Sequence, residues 1–137
     1  MPAPSPSSTL REAITWLYDA IAKEQGYQPE FEHLRSALGQ GKAWAGVGHA
    51  SGQKRAADAA QLALLSFEGN LRDCAYFRAD ILADENITMQ EYSEAAKLLA
   101  DTVKAQGGPD IRLNMTIDAS LGNEMRVILL ASENGME

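Results

Sequence analysis

Apolar positions recur along this chain with two periods, and the changes of period mark its elements. Leu10, Ile14, Leu17 and Ile21 keep helical spacing behind Thr9-x-x-Glu12, a capping-box pattern, and Gly26 ends the run. A second apolar set, Ala13, Trp16 and Ala20, lies beside the first. At ~100° per residue the apolar arc spans roughly half the helix. Such a helix either lies in a deep groove or meets something besides its own domain. After Tyr27-Gln28-Pro29 a second helix is expected. Pro29 suits its first position and Glu30 and Glu32 its first turn. Phe31, Leu34 and Leu38 form its apolar face, and Gly39 closes it.

The stretch GKAWAGVGHASGQKRAADAAQLA, Gly41 to Ala63, organises the rest of the chain. Ala43 to Ala50 reads as a glycine-rich strand carrying Trp44 and Val47, Ser51-Gly52 as a tight turn, and Gln53 to about Ser66 as a helix. Ala56, Ala59, Ala60 and Ala63 give that helix a face of small side chains, suited to close approach. Period two then takes over. Ala75, Phe77, Ala79, Ile81 and Ala83 alternate with Tyr76, Arg78, Asp80 and Leu82, which predicts a strand with one core face and one mixed face. Thr88-x-x-Glu91 opens a clear amphipathic helix through Tyr92, Ala95, Ala96, Leu99 and Val103, stopped by Gly107-Gly108-Pro109. Ile111, Leu113, Met115 and Ile117 alternate with polar residues as a third strand. Met125 to Ala131 is apolar on both faces and should be central or covered on both sides. The loop Ala119 to Asn123 is too short for a crossover helix, so these last two strands are expected to pair antiparallel. From Glu30 on, this order predicts an α/β or α+β two-layer sandwich, a four-stranded mixed sheet with packed helices, preceded by one extra N-terminal helix.

A chain of 137 residues, 45% apolar and 23% charged, fits one globular domain with its own core. The net charge of −7 argues against nucleic acid or an anionic membrane as partner. No stretch is long and apolar enough to span a bilayer, and MPAPSPSS reads as a disordered arm rather than a signal peptide. A cytoplasmic location is the expectation. The single Cys74 excludes an intramolecular disulfide; at the head of an apolar run it reads as a buried, inert thiol.

The search for chemistry returns little. GVGHASG lacks the GK[ST] of a phosphate loop and does not fit G-x-G-x-x-G. No G-x-S-x-G elbow, Cys/His cluster or H-E-x-x-H is present. Glu30 and His33 share a helical face, but two ligands do not make a metal site. Asp80, Asp84 and Glu85 lack the spacing of a calcium loop and read as a solvated turn. His33 and His49 have no evident acid–base partners, and Arg55 reads as an interaction or capping residue near a helix start. No cofactor, metal or catalytic residue is expected.

The organising stretch resembles the C-terminal domain of the bacterial cell-division GTPase FtsZ, of the tubulin superfamily. The pattern G-x-A-x-x-G-x-G-x-A-x-G-x-x-R-A-x-x-A-A is met by Gly41, Ala43, Gly46, Gly48, Ala50, Gly52, Arg55, Ala56, Ala59 and Ala60. Near the C-terminus, Ile117, Asp118, Leu121, Glu124, Arg126, Val127 and Ala131 meet I-D-x-x-L-x-x-E-x-R-V-x-x-x-A. Between the arm read at 1–8 and a frayed tail at 133–137, the resemblance implies the end of the family's central helix at 9–26 and an FtsZ C-terminal-like domain at 27–132. The signature G-G-G-T-G-[ST]-G of the GTP-binding domain is absent, so this chain is not expected to bind GTP by itself. In the family a loop N-x-D-x-x-D enters the neighbouring subunit's nucleotide pocket and assists hydrolysis. Gln28, Glu30 and His33 stand there in this chain, changes that should cripple hydrolysis even if docking survives. The resemblance thus implies a non-catalytic interaction module that binds or caps FtsZ filaments, with Trp16, Gln28, Glu30, Phe31, His33 and Arg35 as candidate contact residues. The alternatives are a self-associating domain with another role, or a small metabolite-binding enzyme with sites at subunit junctions.

Overall fold

The computed structural model describes residues 43–67 and 69–133. The expectations for the arm 1–8, the helix 9–26, the helix after Pro29 and the tail beyond Glu133 lie outside these residues. Within them the chain runs β1 (Ala43–Ser51), α1 (Arg55–Ser66), β2 (Tyr76–Ala83), α2 (Met89–Ala105), β3 (Ile111–Ile117) and β4 (Glu124–Ser132). Short 3-10 turns at Leu71–Asp73 and Ala119–Leu121 complete it.

The strands form one mixed sheet in the order β1-β4-β2-β3. β4 is antiparallel to both neighbours, β1 and β2, while β2 and β3 are parallel through the crossover helix α2. The antiparallel pairing expected between the last two strands does not form, because β2 lies between them. Neighbouring strands sit ~4.8 Å apart, so passing one strand spans roughly 10 Å. The segment Asp118 to Asn123, with its 3-10 turn, can cover that distance. The reason is burial: the strand with apolar side chains on both faces takes an interior place, where both faces are covered. Met125 and Val127 to Ala131 are all 1% exposed or less.

Both helices lie on one face. Ala56, Ala59, Ala60 and Ala63 of α1 and Ala95, Leu99 and Val103 of α2 pack on Phe77, Ala79, Ile81 and Ala83 of β2 and on Met125, Val127, Leu129 and Ala131 of β4. The small face of α1 lets it approach β1 closely. A Cβ on Gly46 or Gly48 would run into the backbone of Ala63, and at Gly48 also of Ala59. Helix α1 starts at Arg55, two residues later than the sequence pattern suggests, because Gly52 adopts φ 96° and 53–54 form the turn into it. Helix α2 has the expected capping box, with Thr88 and Glu91 bonding reciprocally. It ends in a Schellman motif: Gly107, at φ 79°, donates to Lys104, and Gly108 donates to Val103.

The face of β2 expected to be mixed is buried throughout: Tyr76 6%, Arg78 3%, Asp80 1% and Leu82 1% exposed. Its two charges can be buried because they neutralise each other. Arg78 donates from Nε and Nη2 to the carboxylate of Asp80, at 2.7 and 2.9 Å. Asp84 also departs from the solvated turn expected for Asp80, Asp84 and Glu85. It is 8% exposed and accepts from the backbone N–H and side-chain amide of Asn86, closing a compact Asx turn after β2.

Candidate functional site

The residues singled out for partner contact, Trp16, Gln28, Glu30, Phe31, His33 and Arg35, all lie outside the described residues. The features that the structure does place are an ion-pair clamp, two sheet edges and an interhelical groove.

The clamp is built on Arg55, the first residue of α1. It is 6% exposed, and its guanidinium makes a fork with Glu91 of α2, Nε to Oε2 at 2.6 Å and Nη2 to Oε1 at 3.0 Å. Nη1 donates to the carbonyl of Asn123 at 3.0 Å. One side chain therefore ties the start of α1 to the start of α2 and to the turn before β4. This bridging was missed in the sequence, where Arg55 reads as a capping or interaction residue. Glu91 is in turn the capping-box acceptor for the Thr88 N–H, at 3.1 Å. The Arg55 hydrogen bond holds the Glu91 carboxyl below its ordinary value, against the opposing effect of desolvation, and the same bond raises Arg55. The arrangement joins elements; it presents no nucleophile or general base to a substrate.

His49 does have a carboxylate neighbour, contrary to the sequence reading. Its Nδ1 lies 3.3 Å from Oε1 of Glu124 across the β1–β4 ladder, and Glu124 also accepts from Arg126 Nε at 2.6 Å. The imidazole is solvent-exposed. Cys74 is buried, and burial together with nearby Asp73 pushes its thiol up to about 11, so it is inert near neutrality. Among the described residues no group of three or more His, Cys, Asp or Glu could hold a metal ion. No described helix is long and apolar enough to cross a membrane.

The two outer strands of the sheet differ. At β1, Ser66 Oγ accepts from the Val47 N–H at 2.7 Å and donates to the Val47 carbonyl at 2.8 Å. The centre of that edge is thus closed by the end of α1, beside the exposed Leu62 and Leu65. At β3 no described strand lies on the outer side, and Met115 and Ile117 are exposed there. The groove between α1 and α2, lined by Ala57, Gln61, Glu94, Lys97, Leu98, Asp101 and Thr102, is open and carries no convergent charges of one sign.

Comparison with known proteins identifies the fold. The model of the FtsZ family, C-terminal domain, matches residues 41–135 of the 137. The cell division protein FtsZ of Magnetospirillum gryphiswaldense is 30% identical over 107 residues, 75% of this chain and 19% of that protein. The fold is similar to an empty FtsZ dimer structure from M. jannaschii, with TM-score 0.60, 25% identity, and coverage of 90% of this chain and 36% of that one. A point mutant of the same M. jannaschii protein gives TM-score 0.61 at 25% identity, with coverage of 90% of this chain and 37% of that one. The chain therefore spans about a fifth of its curated relative and just over a third of these structures. The mixed four-stranded order, the close β1–α1 joint and the family match together make this chain a member of the FtsZ family, through its C-terminal domain.

Proposed function

We propose that this chain is a non-catalytic interaction module of the cell-division filament. It docks on the nucleotide-binding face of an FtsZ subunit and caps growth at that end. The observation that carries this reading is the family match to the C-terminal domain over residues 41–135, together with Gln28, Glu30 and His33 at the positions of the family's N-x-D-x-x-D loop. In this reading the contact residues are Gln28, Glu30 and His33 at the loop positions, together with Trp16, Phe31 and Arg35. A docked copy brings a longer carboxylate at Glu30 and an imidazole at His33 to the neighbouring pocket. It therefore occupies the contact without supporting hydrolysis. In this reading the module works in the cytoplasm with its filament partner.

Sedimentation of FtsZ from the same organism, polymerised with GTP, tests this. The chain should pellet with polymer at low stoichiometry and reduce polymer mass when present at substoichiometric amounts. Unchanged polymer mass with all of the chain left in the supernatant would overturn the proposal. The paired substitutions Glu30→Ala and His33→Ala should abolish co-sedimentation while leaving the circular dichroism spectrum unaltered. A second copy of this chain is an alternative partner, and the outer edge of β3, where no described strand lies, favours it.

A further inference from the structure

We propose that two copies of this chain associate through the outer edges of β3, paired antiparallel about a two-fold axis at Met115, into one continuous eight-stranded sheet.

The contrast between the two edges motivates this. β1 is closed at its centre by Ser66, which occupies both backbone groups of Val47. β3 keeps a regular ladder to β2 over its whole length, Phe77 with Ile111 to Ala83 with Ile117, with no bulge. Its sequence, IRLNMTI, contains no proline or glycine and no lysine to discourage pairing. The Asp118 N–H donates inward to Ala83, so the even positions of β3 point their backbone groups at β2. The odd positions, Ile111, Leu113, Met115 and Ile117, point theirs outward. Two of these odd residues also expose their side chains, Met115 at 46% and Ile117 at 38%.

Self-pairing requires odd positions to meet odd positions, which leaves a few registers, and charge selects among them. With the axis at Met115, Leu113 faces Ile117 of the second copy and Asn114 faces Thr116. Arg112 faces Asp118, twice by symmetry. The apolar side chains pair on the helix side and the polar ones on the other, as cross-strand pairing favours. Moving the axis by one residue, to Asn114, sets Asp110 against Asp118 of the second copy, a like-charge pair in a chain already at −7. Asp118 lies beside the turn it caps through Ser120, and Arg112 sits over the Tyr76 ring at 5.8 Å, so both are held near the strand ends where the register needs them. A second copy therefore satisfies the outward backbone groups and covers the exposed apolar pair, in a register that sets opposite charges across from each other at the strand ends.

Equilibrium sedimentation over a concentration series tests the association. The wild-type mass should rise from 14.8 kDa towards twice that value. Met115→Lys places two ammonium groups at the axis and should weaken association by about tenfold or more, with the far-ultraviolet spectrum unchanged. Arg112→Glu should also weaken it, and adding Asp118→Lys in the same chain should restore it. Met115→Cys tests the register: facing hydrogen-bonded residues have Cα atoms about 5.5 Å apart, inside the roughly 4.4–6.8 Å that a disulfide spans. Mild oxidation should cross-link Met115→Cys and leave Asn114→Cys monomeric in denaturing gels. A wild-type mass fixed at 14.8 kDa, a dimer indifferent to Met115→Lys, or cross-linking of Asn114→Cys instead would each overturn the proposal.

Discussion

Arg78 and Asp80 show how two charges come to lie in the interior of this sheet. They are two positions apart on one face of β2, 3% and 1% exposed. Removing one partner leaves the other charged and buried, which costs about 3–5 kcal/mol. Asp80→Ala should therefore lower stability by that amount in urea titration. Glu91 makes a different prediction, because its carboxyl joins the Arg55 fork to the cap of α2. Its folded value lies below its ordinary one near 4.5, so the ionised form is favoured by folding. The resulting stability is fully present above that ordinary value and is lost as pH falls through the depressed folded value. Glu91→Gln retains a capping acceptor but leaves Arg55 without its charge partner; it should cost about 1–3 kcal/mol at pH 7. The variant should also show a weaker fall in stability below pH 4.5 than the parent, measured by urea midpoints across the acid range. Cys74, with its thiol pushed up to about 11, should resist alkylation at pH 8 in the folded chain and react once urea unfolds it.

At the scale of elements, the β1–α1 joint was legible because its glycines and alanines have a single steric use. Gly48→Ala would force the new methyl into the backbone of Ala59 and Ala63, and helix α1 would have to lift from the sheet. The expected cost is about 1–3 kcal/mol, read from the thermal midpoint. The periodicity also located every described strand and both described helices to within two residues. It did not give their neighbours. A short loop between two strands suggests a hairpin, yet β4 passes β2 to reach the interior; periodicity along one strand carries no information about which strand lies beside it. Nor did alternation show that the Arg78 face is buried, since charged positions read as solvated until a partner two residues away is seen to neutralise them. The Arg55–Glu91 clamp was hidden for a related reason. Its partners are 36 residues apart, and Glu91 already had a complete local explanation as a capping residue.

For the whole molecule, the net charge of −7 bears on how copies would meet. Two such chains repel at long range, and salt screens that repulsion, with a Debye length of about 10 Å at 0.1 M. An interface held by backbone hydrogen bonds and the Met115 and Ile117 side chains is screened far less than the repulsion opposing it. In such a dimer the Arg112–Asp118 pairs, Arg112 exposed and Asp118 half-buried, would select the register but contribute little energy, in keeping with surface ion pairs worth about 0–1 kcal/mol each. Raising sodium chloride from about 0.05 M to about 0.5 M should therefore tighten the association through β3. Arg112→Glu replaces a positive charge by a negative one in each copy and so deepens the repulsion. Its association should respond to salt more steeply than that of the wild type. Sedimentation at each salt concentration reads both slopes. A wild-type association that loosens with salt would mean that the ion pairs, rather than the strand edge and its apolar side chains, hold the copies together.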